Sequence, residues 1–123
     1  MLLRGGHPIL TADAVADMTR DQLTAAQKQH GGPGSWWPGP RLEFLQDRTW
    51  GFCQSVITEG RFAGAYGWDG GLGSTWLVDP AHDLAVIVLT QRLFDGPQGA
   101  PEVHGALQEA AYEALTNSSK GRH

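Results

Sequence analysis

Residues 67–73, with the sequence GWDGGLG, form the stretch whose backbone could come closest to a reacting group. Four of these seven residues are glycines, and glycine allows positive φ angles and a close approach of the backbone to another group. The stretch is not a phosphate-binding P-loop, because no Gly-Lys-Ser/Thr follows it. It is not a dinucleotide fingerprint either, because the glycine spacing differs and the stretch leads into a predicted strand rather than a helix.

The side chains that could act as nucleophiles or metal ligands lack the partners that such roles require. No serine is followed by lysine three residues on, and no Gly-x-Ser-x-Gly elbow occurs. Cys53 falls within a predicted strand and is expected to be a small core residue. The histidines lack metal-ligand spacing and are expected to be solvated or loop residues; they are His7, His30, His82, His104 and His123. The residues alone therefore predict no metal, no cofactor and no complete catalytic set.

Length, charge and composition limit the classes of function. A chain of 123 residues is one domain or a piece of one. Its formal charge of −4, with basic residues scattered singly, argues against nucleic acid or an anionic membrane as a partner. No apolar run has the length of a membrane span. The lone Cys53 excludes an internal disulfide and fits a reducing compartment, so a cytoplasmic location is predicted.

Alternation of apolar and polar residues predicts the strands that position residues 67–73. Strands are expected over about residues 49–58, 62–69, 74–79 and 84–91, and residues 79–83 have the composition of a turn. The segment from Leu84 to Thr90 is apolar almost throughout and rich in valine and isoleucine. This composition predicts a strand that is covered on both faces.

Two helices and one long loop complete the predicted organisation. Thr11 is the expected N-cap of a helix over residues 12–19. A second helix over residues 101–115 should bury a face marked by Val103, Leu107, Ala110, Ala111 and Ala114. Trp36-Trp37 lies in a Pro- and Gly-rich loop and either anchors the loop on the core, which is favoured, or forms a pocket wall. One long helix cannot cover both faces of a sheet, so another chain or a missing part of this one is expected to supply the rest.

Two segments resemble the serine β-lactamase-like hydrolases, which include class C β-lactamases, D,D-peptidases and related esterases. Residues 1–28 resemble the segment that follows the active-site domain in this family. Residues 66–91 resemble the family's third motif and the two strands after it. The resemblance covers about residues 1–115 as the C-terminal portion of a hydrolase domain, with residues 116–123 as a frayed tail. It implies an α/β fold with an antiparallel sheet and helices packed on its faces.

This resemblance implies catalytic roles for the glycine-rich stretch. Trp68, Asp69 and Gly70 look like the Trp-Gly-Gly form of the third motif, with Trp68 at the place of the lysine or histidine beside the nucleophile. Gly71 follows, and its N–H is implied to be one of two oxyanion-hole donors. Asp69 replaces the usual glycine or threonine and would put a carboxylate near the oxyanion. An alternative register matches residues 65–67 to Lys-Thr-Gly.

The sequence contains neither of the family's other two motifs. It has no Ser-x-x-Lys, and it has no Tyr-x-Asn because tryptophan and alanine stand two places after Tyr66 and Tyr112. The resemblance thus implies the C-terminal fragment of an esterase-like serine hydrolase that acts on a small ester or amide and is inactive alone. A missing N-terminal segment or a partner chain would carry the nucleophile. The alternative is a non-catalytic remnant or binding module whose sheet a partner chain completes.

Overall fold

A computed structural model describes residues 2–28, 47–93 and 102–120 of the chain. The predicted loop around Trp36-Trp37 lies outside these residues. The strands are β1 (Arg48–Trp50), β2 (Ser55–Ile57), β3 (Tyr66–Gly70), β4 (Ser74–Asp79) and β5 (Leu84–Leu89). The helices are α1 (Ala12–Thr19) and α2 (Glu102–Lys120), and short 3₁₀ helices cover Leu2–Arg4 and Pro80–His82.

The five strands form one antiparallel sheet in chain order, β1-β2-β3-β4-β5. On one face, β-sheet residues that include Ile57 and Leu77 pack against Tyr112 of α2. On the other face, residues that include Tyr66 and Val78 pack against the 3₁₀ helix Leu2–Arg4. The predicted α/β fold with an antiparallel sheet is therefore confirmed.

The single strand predicted over residues 49–58 is wrong, because β1 and β2 form a hairpin there. The N–H of Gly51 donates to the carbonyl oxygen of Gln54 (3.0 Å), which closes the turn between the two strands. A Cβ at Gly51 would lie 2.0 Å from the carbonyl oxygen of Met18, so this turn packs directly on the end of α1. Cys53 sits in the turn with φ of 63° and is exposed, so its predicted place in the core is also wrong.

The prediction that Leu84–Thr90 is covered on both faces is wrong as well. The segment does form a strand, β5, but β5 is the edge of the sheet among the described residues. Its side chains alternate between the two faces, and on the face away from α2 the side chains of Ile87 and Leu89 are 71% and 80% exposed. An apolar run signals a strand but does not specify which neighbours cover it.

Helix α2 begins near the predicted position but extends to Lys120, five residues beyond the predicted end, and buries a different face. His104 and Tyr112 are its buried residues, while Val103 and Leu107 are 40% and 45% exposed. Hydrogen bonds from His104 to the loop before β4 and from Tyr112 to Asp79 at the end of β4 fix this rotation, because most buried polar groups keep a hydrogen-bond partner. The other predicted helix is confirmed, with the Thr11 side chain accepting from the N–H of Ala14 (3.2 Å).

Candidate active site

The glycine-rich stretch forms the end of β3 and the tight loop into β4. The N–H of Gly73 donates to the carbonyl oxygen of Gly70 (2.9 Å), and Gly73 has φ of +102°. A three-residue loop with a positive-φ residue at its end is a common hairpin connection. A Cβ at Gly73 would lie 2.6 Å from the carbonyl oxygen of Arg92. Glycine is therefore required here both by the backbone angle and by the close approach of the chain.

Within the described part of the chain, the motif half of β3 has an open backbone edge. Strand β2 pairs with β3 only at Tyr66 and Gly67, and no other described residue pairs with the rest of β3 on that side. The N–H of Ile57 donates to the carbonyl oxygen of Ala65 (2.8 Å), so alternate residues of β3 from Ala65 onward direct their backbone polar groups toward the β2 side. By this alternation, the N–H groups of Asp69 and Gly71 point away from β4 and toward the open edge.

Gly71 is exposed, and a Cβ built on it meets no atom within 4 Å. Among the described residues, nothing therefore occupies the place where a Gly71 side chain would lie. Gly67, at the start of the same stretch, is different: a Cβ there would lie 1.9 Å from the carbonyl oxygen of Trp76. Glycine is therefore required at position 67, because a side chain there would collide with the backbone of β4. The described surroundings of Gly71 would accept a side chain.

Trp68 lies on the face of the sheet that α2 does not cover. It stands opposite Trp76 of β4, and its ring is 5.8 Å from the ring of Trp50 in an edge-to-face contact. Its side chain is 43% exposed. Edge-to-face contact is a favoured aromatic geometry, so Trp50 holds the Trp68 ring at the open edge as a neutral, apolar surface.

Asp69 points to the opposite face, where its charge is neutralised. Its Oδ2 accepts from Nη1 of Arg48 (2.9 Å), and its Oδ1 accepts from the hydroxyl of Thr75. The two charged side chains are 18% and 11% exposed, for Arg48 and Asp69 respectively. Arg48 also donates to the hydroxyl of Ser55 (3.2 Å). The carboxylate that the sequence placed near the oxyanion is therefore turned away from Trp68 and paired with a cation.

His104 of α2 contacts the loop between β3 and β4. It is buried, and its Nε2 lies 3.3 Å from the carbonyl oxygen of Gly73. Because a carbonyl oxygen only accepts, Nε2 must be the protonated nitrogen. The prediction that His104 is a solvated or loop histidine is wrong, since this side chain links α2 to the loop after the motif.

Comparison of the sequence with models of known protein families identifies the family of this chain. The family model described as Beta-lactamase matches residues 2–111. This chain belongs to the beta-lactamase family. No curated protein matches it. Membership in the beta-lactamase family supports a serine hydrolase-like chain, and the match spans both segments that carried the resemblance.

In this beta-lactamase-family chain the structure brings the predicted site residues together at one strand end but gives them different surroundings. Trp68 and Asp69 face opposite sides of the sheet, and Gly70 and Gly71 continue into the loop. Their catalytic roles remain predictions. Among the described residues, no acidic, histidine or cysteine side chains form a group suited to a metal ion, and no helix is long and apolar enough to cross a membrane.

Sequence reasoning missed two residues that support the site. Arg48 is 21 positions from Asp69, and no local pattern connects a residue of the first strand with one of the third. His104 had a weak signal, because His104, Gln108 and Tyr112 recur every four residues and so share one helical face. That face was overlooked because its members are polar or aromatic, while the more apolar face drew the prediction.

Proposed function

We propose that this chain is the C-terminal part of an esterase-like serine hydrolase, in which it supplies the third motif and one oxyanion-hole donor. The substrate is a small ester or amide. The observation that carries the proposal is the open edge of β3, where the N–H groups of Asp69 and Gly71 point away from β4. An acyl-transfer enzyme needs backbone donors of this kind where the tetrahedral intermediate develops negative charge.

Gly71 is the better placed of the two donors. It is exposed and lacks a side chain, so no side chain of its own hinders the approach of a substrate carbonyl to its N–H. Asp69 contributes differently, because its side chain is held by Arg48 and Thr75 on the far face. These contacts fix β3 on the sheet while keeping the carboxylate charge away from the developing oxyanion, which a negative charge would destabilise.

Trp68 supports an ester without a carboxylate as the substrate. The Lys-Thr-Gly and His-x-Gly forms of the motif place a lysine or histidine at this position, whereas Trp68, as in the Trp-Gly-Gly form, is neutral and presents a half-exposed ring beside Trp50. An apolar surface favours contact with the apolar part of an acyl or alcohol group, and it offers no cation to a charged substrate. We therefore favour an esterase over a β-lactamase or peptidase.

The nucleophile comes from outside this sequence, in an N-terminal segment or a partner chain that carries Ser-x-x-Lys. An apolar band supports this assembly: Trp68, Trp76, Ile87 and Leu89 lie on the face of the sheet that α2 leaves open. Ile87 and Leu89 are both more than two-thirds exposed, and contiguous exposed apolar surface marks an interaction site. The segment bearing the nucleophile is the occupant that we propose for this band.

The free Cys53 supports a cytoplasmic location.

Activity measurements test the proposal. The 123-residue chain alone should not hydrolyse p-nitrophenyl butyrate above background, because none of its serines has a recognisable base. The chain produced together with the coding segment upstream of Met1 should hydrolyse the ester and should be labelled by a serine-directed fluorophosphonate. Hydrolysis by the chain alone that the fluorophosphonate abolishes would overturn the fragment assignment. An upstream sequence without Ser-x-x-Lys would instead favour the non-catalytic remnant.

Two substitutions at Gly71 then test the oxyanion donor in the assembled hydrolase. Gly71→Pro removes the N–H and should lower kcat by about 10²–10³. Gly71→Val keeps the N–H but crowds the approach of the substrate to it, so it should lower kcat strongly. Its effect on the free energy of unfolding should be small, because no atom lies near the Cβ. Leu77→Ala is the control: Leu77 is buried, so its loss should cost about 2–5 kcal/mol of stability with little change in kcat. Near-normal kcat/KM in both Gly71 variants would shift the assignment to the register at residues 65–67.

A further inference from the structure

A cavity lies at the end of the sheet opposite the motif. It has a volume of about 450 Å³ and is lined by Arg61, His82, Tyr112, Leu115 and Thr116. Its polar side chains come from three separate parts of the fold: the turn before β3, the 3₁₀ helix Pro80–His82, and α2. The proposed esterase function uses none of these residues.

Asp79 organises one wall of this cavity. Its carboxylate is 2% exposed and accepts from the hydroxyl of Tyr112, from Nδ1 of His82 (2.7 Å) and from the N–H of Ala81 (2.9 Å). Burial alone would raise the pKa of Asp79, but the hydrogen bonds from Tyr112 and His82 outweigh it and hold this pKa below its ordinary value. Asp79 is therefore an anion at neutral pH.

The orientation of His82 follows from this anion. A carboxylate only accepts, so the Nδ1 of His82 must carry a proton, and its Nε2 is the nitrogen turned away from Asp79. The ring stacks edge-to-face on Tyr112 with 5.2 Å between centroids, and the side chain is 49% exposed. Asp79 and Tyr112 thus hold the half-exposed imidazole at the cavity wall, with Nε2 on the side of the ring away from the carboxylate.

Arg61 also lines the cavity. Its guanidinium lies over the rings of Phe62 and Tyr112, 5.4 and 5.5 Å from their centroids. Glu109 accepts from its Nη1 (2.7 Å). A guanidinium has five N–H donors in a planar fork, so this pairing leaves others for a ligand. The stacking on the two rings fixes the position of the cation before any ligand arrives.

We propose that this cavity binds a small organic oxyanion, a carboxylate or phosphate with an apolar substituent, held between Arg61 and His82. The Arg61 guanidinium donates to the oxyanion, and Nε2 of His82 donates to it when the ring carries a proton on both nitrogens; such charge-assisted hydrogen bonds are the contacts that anionic oxygens favour. The apolar substituent lies against the Tyr112 ring and Leu115. Glu109 competes with the ligand electrostatically, because its carboxylate already offsets part of the guanidinium charge.

NMR titration of the full 123-residue chain with phenyl phosphate and phenylacetate tests this site. Both probes should shift the imidazole resonances of His82 and the guanidinium resonance of Arg61 in a saturable way, and the tighter probe identifies the preferred oxyanion. Arg61→Gln should weaken binding at least about tenfold, because a charge-assisted hydrogen bond is lost. Glu109→Gln should strengthen binding, since it removes the competing carboxylate. A purely structural Arg61–Glu109 pair predicts no such opposite effects.

Arg20→Gln is the matched control, because Arg20 also pairs with a carboxylate on the surface, at Asp17 (2.7 Å), far from this cavity in the chain. Binding should be unchanged in this variant. Equal weakening by Arg20→Gln and Arg61→Gln would show that only net charge matters and would overturn the proposal. It would also be overturned by equal affinity for benzyl alcohol, by weaker binding in Glu109→Gln, or by the absence of saturable shifts at His82. These outcomes do not bear on ester hydrolysis, so the two proposals fail separately.

Discussion

Replacing Arg48 with methionine tests the contact that fixes the third-motif strand. Arg48→Met keeps much of the apolar stem but removes the only cation bonded to Asp69 among the described contacts. The Asp69 carboxylate would keep its hydrogen bond from Thr75 but would become an uncompensated charge in a largely buried place. The change affects β1 and β3 without removing any residue of the motif.

The expected cost follows from the burial of the pair. Breaking a buried ion pair by removing one partner costs about 3–5 kcal/mol. Arg48 and Asp69 retain 18% and 11% exposure, and the Thr75 hydroxyl continues to donate, so we expect about 2–3 kcal/mol. Adding Asp69→Asn to Arg48→Met removes the stranded charge and should recover about 1 kcal/mol or more, because replacing both partners is much less costly than removing one.

Urea unfolding of the chain and its variants at neutral pH measures these differences through the transition midpoint at constant slope. Arg20→Met serves as the control, because Arg20 and Asp17 are 64% and 51% exposed and such a surface pair contributes about 0–1 kcal/mol. The reasoning is refuted if Arg48→Met costs no more than Arg20→Met. It is equally refuted if the double variant is less stable than Arg48→Met alone.

Two further predictions concern the loop after the motif and the opposite end of the sheet. Gly73→Ala should destabilise the chain more than Gly64→Ala. Both glycines have positive φ, +102° and +91°, but only the Cβ at Gly73 meets backbone atoms. If urea unfolding shows the same loss of stability for both variants, the backbone angle alone explains the loss and the close contact at Gly73 does not contribute. The pKa of Asp79 lies below its ordinary value of 3.8 because the hydrogen bonds of Tyr112 and His82 outweigh burial. The contribution of Asp79 to stability is therefore complete at neutral pH and lost as pH falls below about 4. Unfolding from pH 7 to 3 should show this loss in the wild type and a smaller one in Asp79→Asn; parallel curves would contradict it.

The sequence by itself determined the local elements. Alternating residues in β4 and the β-branched run of β5 predicted strands at the right positions, and Thr11 predicted the start of α1. The turn at residues 79–83 was also visible, because aspartate and proline favour turns through their own backbone geometry and side-chain hydrogen bonds. These features depend on neighbours within a few residues, which is why a single sequence reveals them.

Tertiary structure decided which surfaces are covered. The sequence of an apolar strand does not depend on whether a neighbouring element covers it. For this reason β5 was predicted to be buried, although Ile87 and Leu89 are exposed. The face of α2 was misjudged for a related reason. Apolar periodicity selected Val103 and Leu107, but the rotation of the helix follows from the hydrogen bonds of His104 to the loop before β4 and of Tyr112 to Asp79.

Tertiary structure also decided the surroundings of the site. The motif residues could be located from their resemblance to a family, but the partner of Asp69 could not, because Arg48 is brought to it only when β1 and β2 fold back beside β3. The open edge of β3 has the same origin, since it exists where the β1–β2 hairpin stops pairing. Side-chain pairs 21 to 33 positions apart leave no periodic signal, because their contact depends on strand order and helix rotation rather than on local sequence.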